Sequence, residues 1–236
     1  MLKLLSTANA KTQKGVKEGY LTYVLHLAPA DLSGAGNTCP KASAGCKAAC
    51  LNTAGRGGMF KPGTNTNSVQ KARIRKTIDY FTQPEQFMVD LVSDIKYAIR
   101  RAAKLGLTPV IRLNATSDVA WEKKAVNGFP NVFAMFPTVQ FYDYTKILGR
   151  KVKGIPNYHL TFSRAEDNEK DCVKAAAAGM NVTVVFDKVP PLYKGWPVFS
   201  GDKNDLRFLD PVSSIVGLKA KGRARKDQSG FVVTTV

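Results

Sequence analysis

The feature that most constrains this chain is a series of short apolar runs set too far apart to form hairpins. LTYVLHLA at 21–28 comes first, then TPVIRLNA at 108–115, TVQFYDYT at 138–145, YHLTFS at 158–163, NVTVVF at 181–186 and WPVFSG at 196–201, with 12 to 22 residues between most of the later ones. Antiparallel neighbours can be joined by a tight turn, whereas parallel neighbours need a crossover of a dozen residues or more. The spacing therefore predicts an α/β fold with largely parallel strands. From Ser68 to Lys104 the apolar period becomes helical. Pro84 divides that stretch into two helices, the second, EQFMVDLVSDIKYAIRRAAKLG, stopping at Gly106.

The runs alternate in character. Ile111, Leu113 and Ala115 share one face of their strand and Val110, Arg112 and Asn114 the other; Tyr158, Leu160 and Phe162 oppose His159, Thr161 and Ser163; Val182, Val184 and Phe186 oppose Thr183, Val185 and Asp187. An open parallel sheet covered on both sides would be apolar on both. One apolar and one polar face predicts helices outside and a polar cavity inside, a full or partial (β/α) TIM-like barrel, with an antiparallel, solvent-facing sheet as the competing arrangement. Asn114, Thr145, Ser163, Asp187 and Asp202, at the ends of strands, would ring one mouth. The 236 residues suit a single domain, 1–236, with a cysteine-bearing loop at 34–58 and a basic C-terminal segment at 217–236. No apolar run is long enough to cross a membrane, and MLKLLSTANAKTQKG is too poor in apolar residues for a signal peptide. We expect a soluble intracellular protein.

After the first strand comes NTCPKASAGCKAACLNTAGRG, with Cys39, Cys46 and Cys50 among small residues, while Cys172 stands alone downstream in DNEKDCVKAAAAGM. Three thiols cannot all pair as disulfides, and clustered cysteines in a reducing compartment point to metal. Soft thiolates select zinc, copper(I) or iron-sulfur clusters. A cubane held by three cysteines keeps its fourth iron open to an exchangeable ligand, whereas zinc needs a fourth ligand from elsewhere, for which His26 is a candidate. Cys172, on an expected helix, reads as a small core residue. Two histidines and no nucleophile motif disfavour classical hydrolase or zincin chemistry.

The formal net charge of +17 favours a polyanionic partner, DNA or RNA. Arg73 and Arg75 in KARIRK and Lys219, Lys221, Arg223 and Arg225 in LKAKGRARKDQSG are the candidate phosphate contacts. Asp118 in RLNATSDVAWE suits a mouth residue or a helix N-cap. SGDKNDLRFLDP lacks the spacing of an EF-hand loop and reads as a turn held by Asp-Arg pairing. FYDYTK supplies Tyr142 and Tyr144 to the core or to a stacking surface.

A strand entering a three-cysteine loop, then a helix, then alternating strands resembles the radical S-adenosylmethionine enzymes. That resemblance implies a [4Fe-4S] cluster on Cys39, Cys46 and Cys50 over a partial barrel. It also implies S-adenosylmethionine as a possible ligand at the open iron, with Arg112, Asn114, Ser163 and Asp187 as its cofactor contacts. The cysteine gaps of six and three residues differ from that superfamily's usual ones, and Ala49 stands where an aromatic residue is common. LHLAPADLSGAGNTCPKASAGCKAAC, RLNATSDVAWE, FYDYTK, NYHLTFSRAE and GDKNDLRFLDP resemble, more specifically, a family of bacteriophage proteins, a likeness that implies no particular activity. The expectation is a phage iron-sulfur protein in the bacterial host cytoplasm, with no membrane partner and a small-molecule ligand at the open iron. The alternative is a basic nucleic-acid-binding protein with a structural iron-sulfur or zinc site.

Overall fold

Strand and helix alternate for most of the chain. β1 (Leu5–Ser6), α1 (Ala10–Lys14) and β2 (Tyr20–Leu25) lead into a long segment bearing the short helix α2 (Ala44–Ala48), and then into α3 (Ser68–Thr82) and α4 (Pro84–Lys104). After these come β3 (Thr108–Arg112), α5 (Val132–Met135), β4 (Gln140–Thr145), β5 (Tyr158–Ser163) and α6 (Glu169–Ala177). β6 (Val182–Phe186), β7 (Leu192–Tyr193), β8 (Trp196–Ser200), β9 (Ile215–Lys219) and β10 (Val232–Val233) complete the computed structural model, which describes residues 3–7, 10–61 and 63–235.

Local chemistry sets the helix bounds. Asn67 caps α3 by accepting from the Gln70 N–H at 3.0 Å, and Pro84, lacking an N–H, fits the first turn of α4. α4 buries Phe87, Leu91, Val92, Ile95, Ala98 and Ala102 along one stripe. Gly106, at φ +64°, takes the left-handed conformation that turns the chain out of the helix.

Seven strands run parallel in the order β2-β3-β4-β5-β6-β9-β8, with β1 antiparallel on β2 at one edge and β7 antiparallel on β8 at the other. The sheet is mostly parallel and not closed, and that pairing sets aside the antiparallel alternative. Tyr23 lies opposite Ile111 and Asp143 opposite Leu160. β5 and β6 pair over only Phe162 with Val182 and Ser163 with Thr183; β10 then pairs with the far end of β6, Val232 opposite Val185. The C-terminal strand thus takes up the edge of β6 that β5 leaves.

The two faces divide as the alternation predicts. Ile111, Leu113, Phe141, Tyr158 and Leu160 pack with α4 in one apolar cluster, and Phe162, Val182, Val184 and Phe186 pack with Cys172 and Ala175 of α6 in a second. On the other face Asp205 accepts from Arg112 at 2.8 Å and from the Tyr142 hydroxyl at 3.0 Å, and Phe208 meets Tyr20 edge-on at 5.4 Å between ring centroids. The segment 202–210 therefore reaches back across the polar face to β2, β3 and β4. Within it Asp-Arg pairing holds the turn: buried Arg207 meets Asp210 at 3.0 Å and donates to the Asn204 carbonyl at 2.8 Å.

The basic segment assigned from residue 217 begins inside β9, whose Ile215, Val216 and Gly217 are buried between β6 and β8. IVGLK is short and interrupted by a glycine, so its pattern is weak. That glycine is there for space, because a Cβ would sit 2.5 Å from Val189 and 2.7 Å from Val198. Among the described residues no helix is long and apolar enough to cross a membrane.

Candidate functional site

The cysteine segment leaves the C-terminal end of β2 and is pinned from three directions. Near Cys39, the Thr38 hydroxyl donates to the Ala28 carbonyl at 2.7 Å, Asp118 N–H donates to the Thr38 carbonyl at 2.8 Å, and Asn37 accepts from Cys39 N–H at 2.7 Å. The thiol itself lies 3.6 Å from the Thr116 carbonyl. Cys46 rides on α2. There the Glu166 carboxylate, just after β5, accepts from the Ser43 hydroxyl and the Gly45 N–H, both at 2.7 Å, and Ser43 caps the helix through Cys46 N–H at 3.1 Å. Those hydrogen bonds outweigh burial and hold the Glu166 carboxyl below its usual range. Cys50 accepts from Asn52 N–H at 3.5 Å, and Asn52 is gripped by Arg73 of α3.

All three thiols are half-buried. Burial pushes the Cys50 thiol up to about 11, with Cys46 and Cys39 adding to the shift and Asn52 N–H and Arg73 opposing it. Burial likewise raises Cys39, with Asp118 and Cys46 adding to the shift. The thiols therefore stand close enough to feel one another, although among the described residues no three His, Cys, Asp or Glu side chains are grouped to hold a single ion.

Arg73 gives the site its sign. Its Nη1 donates to the Asn52 carbonyl at 3.0 Å and to Asn52 Oδ1 at 2.7 Å, while its buried Nε meets no acceptor. Burial lowers its pKa, and the charge that opposes the shift is Cys50's. His26, one residue past β2, is held neutral: burial first, then Arg73, Arg112 and Lys76, lower its pKa to about 3. Arg73 stands beside Cys50, and among the described residues it pairs with no carboxylate.

The four residues expected to contact a cofactor are each engaged within the protein. Arg112 pairs with Asp205 and lies 4.7 Å over the Tyr144 ring. Asn114 donates to the Val119 carbonyl and to Asp143, and accepts from Ser117, Val119 N–H and Trp121 Nε1. Ser163 accepts from Lys146 Nζ at 2.9 Å. Asp187 is exposed and accepts from Lys188 N–H and from Thr235. Asp118 caps no helix; it accepts from Lys146 N–H at 2.8 Å and so joins the cysteine segment to the end of β4. Cys172 is buried in the second apolar cluster, to which none of the loop cysteines belongs.

Of the candidate phosphate contacts, Arg73 points inward, Arg75 is exposed on α3, and Lys219 and Lys221 flank Asp202, with Lys221 Nζ at 2.5 Å from its carboxylate. Arg223 and Arg225 are exposed on the turn Gly222–Lys226, which packs on residues 51–54 of the cysteine segment. A cleft of about 290 Å³ beside Cys39 was not anticipated. It is lined by Asn37, Tyr80, Phe81, Asp118, Lys123 and Lys124 among others. The adjacent lysines of WEKK were its only sequence signal.

Two buried titrations should oppose each other in stability. Folded His26 takes up its proton near pH 3 instead of 6.5, so the stability present above 6.5 is lost as pH falls, at about 1.4 kcal/mol per unit within that window. Asp143, pushed from 3.8 to about 7 chiefly by burial, does the reverse: the stability it gives below 3.8 is lost as pH rises through 7. Thermal melts at pH 5 and pH 7 should show His26→Gln gaining stability on acidification and Asp143→Asn losing it. Slopes of the same sign would remove this assignment.

No curated protein and no solved structure matches the chain. The segments likened to a bacteriophage family lie within residues 3–235, which match the model of a family described as Gene product 88. The chain therefore belongs to the Gene product 88 family, a phage-type family of gene products.

Proposed function

We propose that this phage-type protein acts in the host cytoplasm and holds one [4Fe-4S] cluster through Cys39, Cys46 and Cys50, at the mouth of a partial (β/α) barrel. The observation that carries the reading is Arg73. A half-buried guanidinium whose buried Nε has no acceptor among the described residues, beside the half-buried Cys50 thiol, suits a site whose occupant brings negative charge. Three thiolates around a cubane supply it. The raised pKa values of Cys39 and Cys50 fit as well, because those two thiols would stay protonated until metal displaced the protons.

The barrel reading is supported by the sequential order of the parallel strands and by the 202–210 segment, which joins the β8 end of the sheet to β3 and β4. Both are what curling of the sheet would produce, with the cysteines over the C-terminal ends of the strands. When bound, the cluster would supply an iron with one exchangeable coordination position. Around it, Arg73 would balance charge, His26 would stay a neutral hydrogen-bonding group, and Glu166 would hold α2 in place. Arg112, Asn114, Ser163 and Asp187 are already engaged, so they lend S-adenosylmethionine no support.

Anaerobically purified protein should be brown and carry about four irons and four sulfides per chain. Cys39→Ala, Cys46→Ala and Cys50→Ala should each lose most of that iron, and Cys172→Ala should keep it. A colourless protein with stoichiometric zinc would end the cluster reading.

A further inference from the structure

The cleft beside Cys39 sets aromatic rings next to cationic side chains. Its floor is aromatic: Tyr80 and Phe81 meet edge-on at 4.9 Å between ring centroids, and Phe81 is only partly buried. Gly36 backs the Phe81 ring so closely that a Cβ there would lie 2.6 Å from it. Its rim is cationic. Lys123 and Lys124 are exposed, and Lys124 Nζ stands 5.6 Å over the Tyr80 ring. Asn37, also exposed, uses its Oδ1 on Cys39 N–H and leaves its amide N–H₂ at the edge. The basic surface continues past the cysteines, with Lys41 and Lys47 exposed on their segment and Arg223 and Arg225 exposed on the turn packed against it.

We infer that the cysteine mouth is a binding track for single-stranded nucleic acid, in which one unpaired nucleotide enters the cleft. The lysines take its phosphates, Phe81 stacks on its base and Asn37 meets the base edge. About 290 Å³ is at the lower limit of ligand pockets and admits one nucleotide, not a stacked base pair. The net charge of +17 supplies the long-range attraction, and the cleft supplies the preference for an unpaired base. The cleft's ligand is read from its own lining. Only its role as the substrate of an open iron rests on the cluster reading.

Fluorescence anisotropy with a labelled oligothymidylate and with a duplex of equal length, over about 50 to 200 mM salt, tests the inference. Lys123→Ala/Lys124→Ala should weaken single-strand binding about tenfold or more and reduce the log-log salt slope by about 1.4, or 0.7 for each phosphate lost. Phe81→Leu should weaken it by about tenfold with the slope unchanged. Lys96→Ala/Arg100→Ala, on the exposed side of α4, should leave it as it was. Four outcomes would overturn the inference: no binding to either oligonucleotide, equal binding of the duplex with no response to Phe81→Leu, equal loss in the α4 variant, or capture by phosphatidylserine vesicles through the same lysines in place of the oligonucleotide. Iron measured in each preparation separates the two readings. Iron-loaded protein that ignores oligothymidylate refutes the track and leaves the cluster, and iron-free protein that binds it through Lys123 and Lys124 does the opposite.

Discussion

Replacing Asn114 by Ala should destabilise the protein by roughly 3 to 5 kcal/mol and lower its melting temperature by about 10 °C. Asn114 is 2% exposed, and one side-chain oxygen accepts from Ser117 Oγ and Val119 N–H at 2.9 Å and from Trp121 Nε1 at 3.2 Å. Its Nδ2 donates to the Val119 carbonyl at 3.0 Å and to Asp143 at 3.2 Å. Alanine strands three buried donors and weakens the hold on a carboxylate that also accepts from Tyr158 at 3.0 Å. Each orphaned group costs about 1 to 3 kcal/mol, moderated by whatever relaxation lets water in. Asn114→Asp keeps the acceptor but sets a second carboxylate beside Asp143, so its penalty should grow above pH 7, where Asp143 ionises. An unfolding free energy from urea titration within about 1 kcal/mol of the parent protein for Asn114→Ala would show that the turn 114–121 holds without this hub.

Arg112→Ala should be comparably severe, about 3 to 5 kcal/mol, because it removes one partner of a buried pair and leaves the other. The Asp205 side chain is 2% exposed and that of Arg112 12%, with 2.8 Å between them. The pair matters beyond its own contact, since it ties the 202–210 segment to β3. Arg112→Ala/Asp205→Ala should cost less than the two single changes added together, the difference measuring their coupling. Strict additivity in denaturant titrations would mean that the segment is held by Phe208 and Arg207 and that the ion pair contributes nothing.

What was legible in the sequence was whatever local pattern decides. The α3/α4 division at Pro84, the full extent of β5 and the two faces of β3, β5 and β6 follow from proline chemistry and from period-two alternation. Illegible features depend on partners distant in the chain. β9 is five residues with a central glycine that only its neighbours Val189 and Val198 explain. Arg73 sits in a basic run that suggests a surface, yet Asn52 and Cys50 draw it inward. Asn114 looks like a mouth residue because it ends a strand facing the polar side, and only the fold shows its hydrogen bonds turned into the 114–121 turn. Lys123 and Lys124 are ordinary surface lysines until α3 and the Cys39 turn place aromatic rings beside them.

The wedge of β10 against β6 also sets an order in time. Ala220, Ala224 and Phe231 pack around Ala49, with Cys46 against the same cluster. That wall of the cysteine site cannot exist on the ribosome until residues far downstream of Cys50 have been made. Such long-range contacts form late, after the loop closure they require. The thiols emerge early, before β3 to β10 are made, so that wall closes over them only once the chain has folded to β10. The wall around Cys46 therefore depends on the chain having folded through to β10.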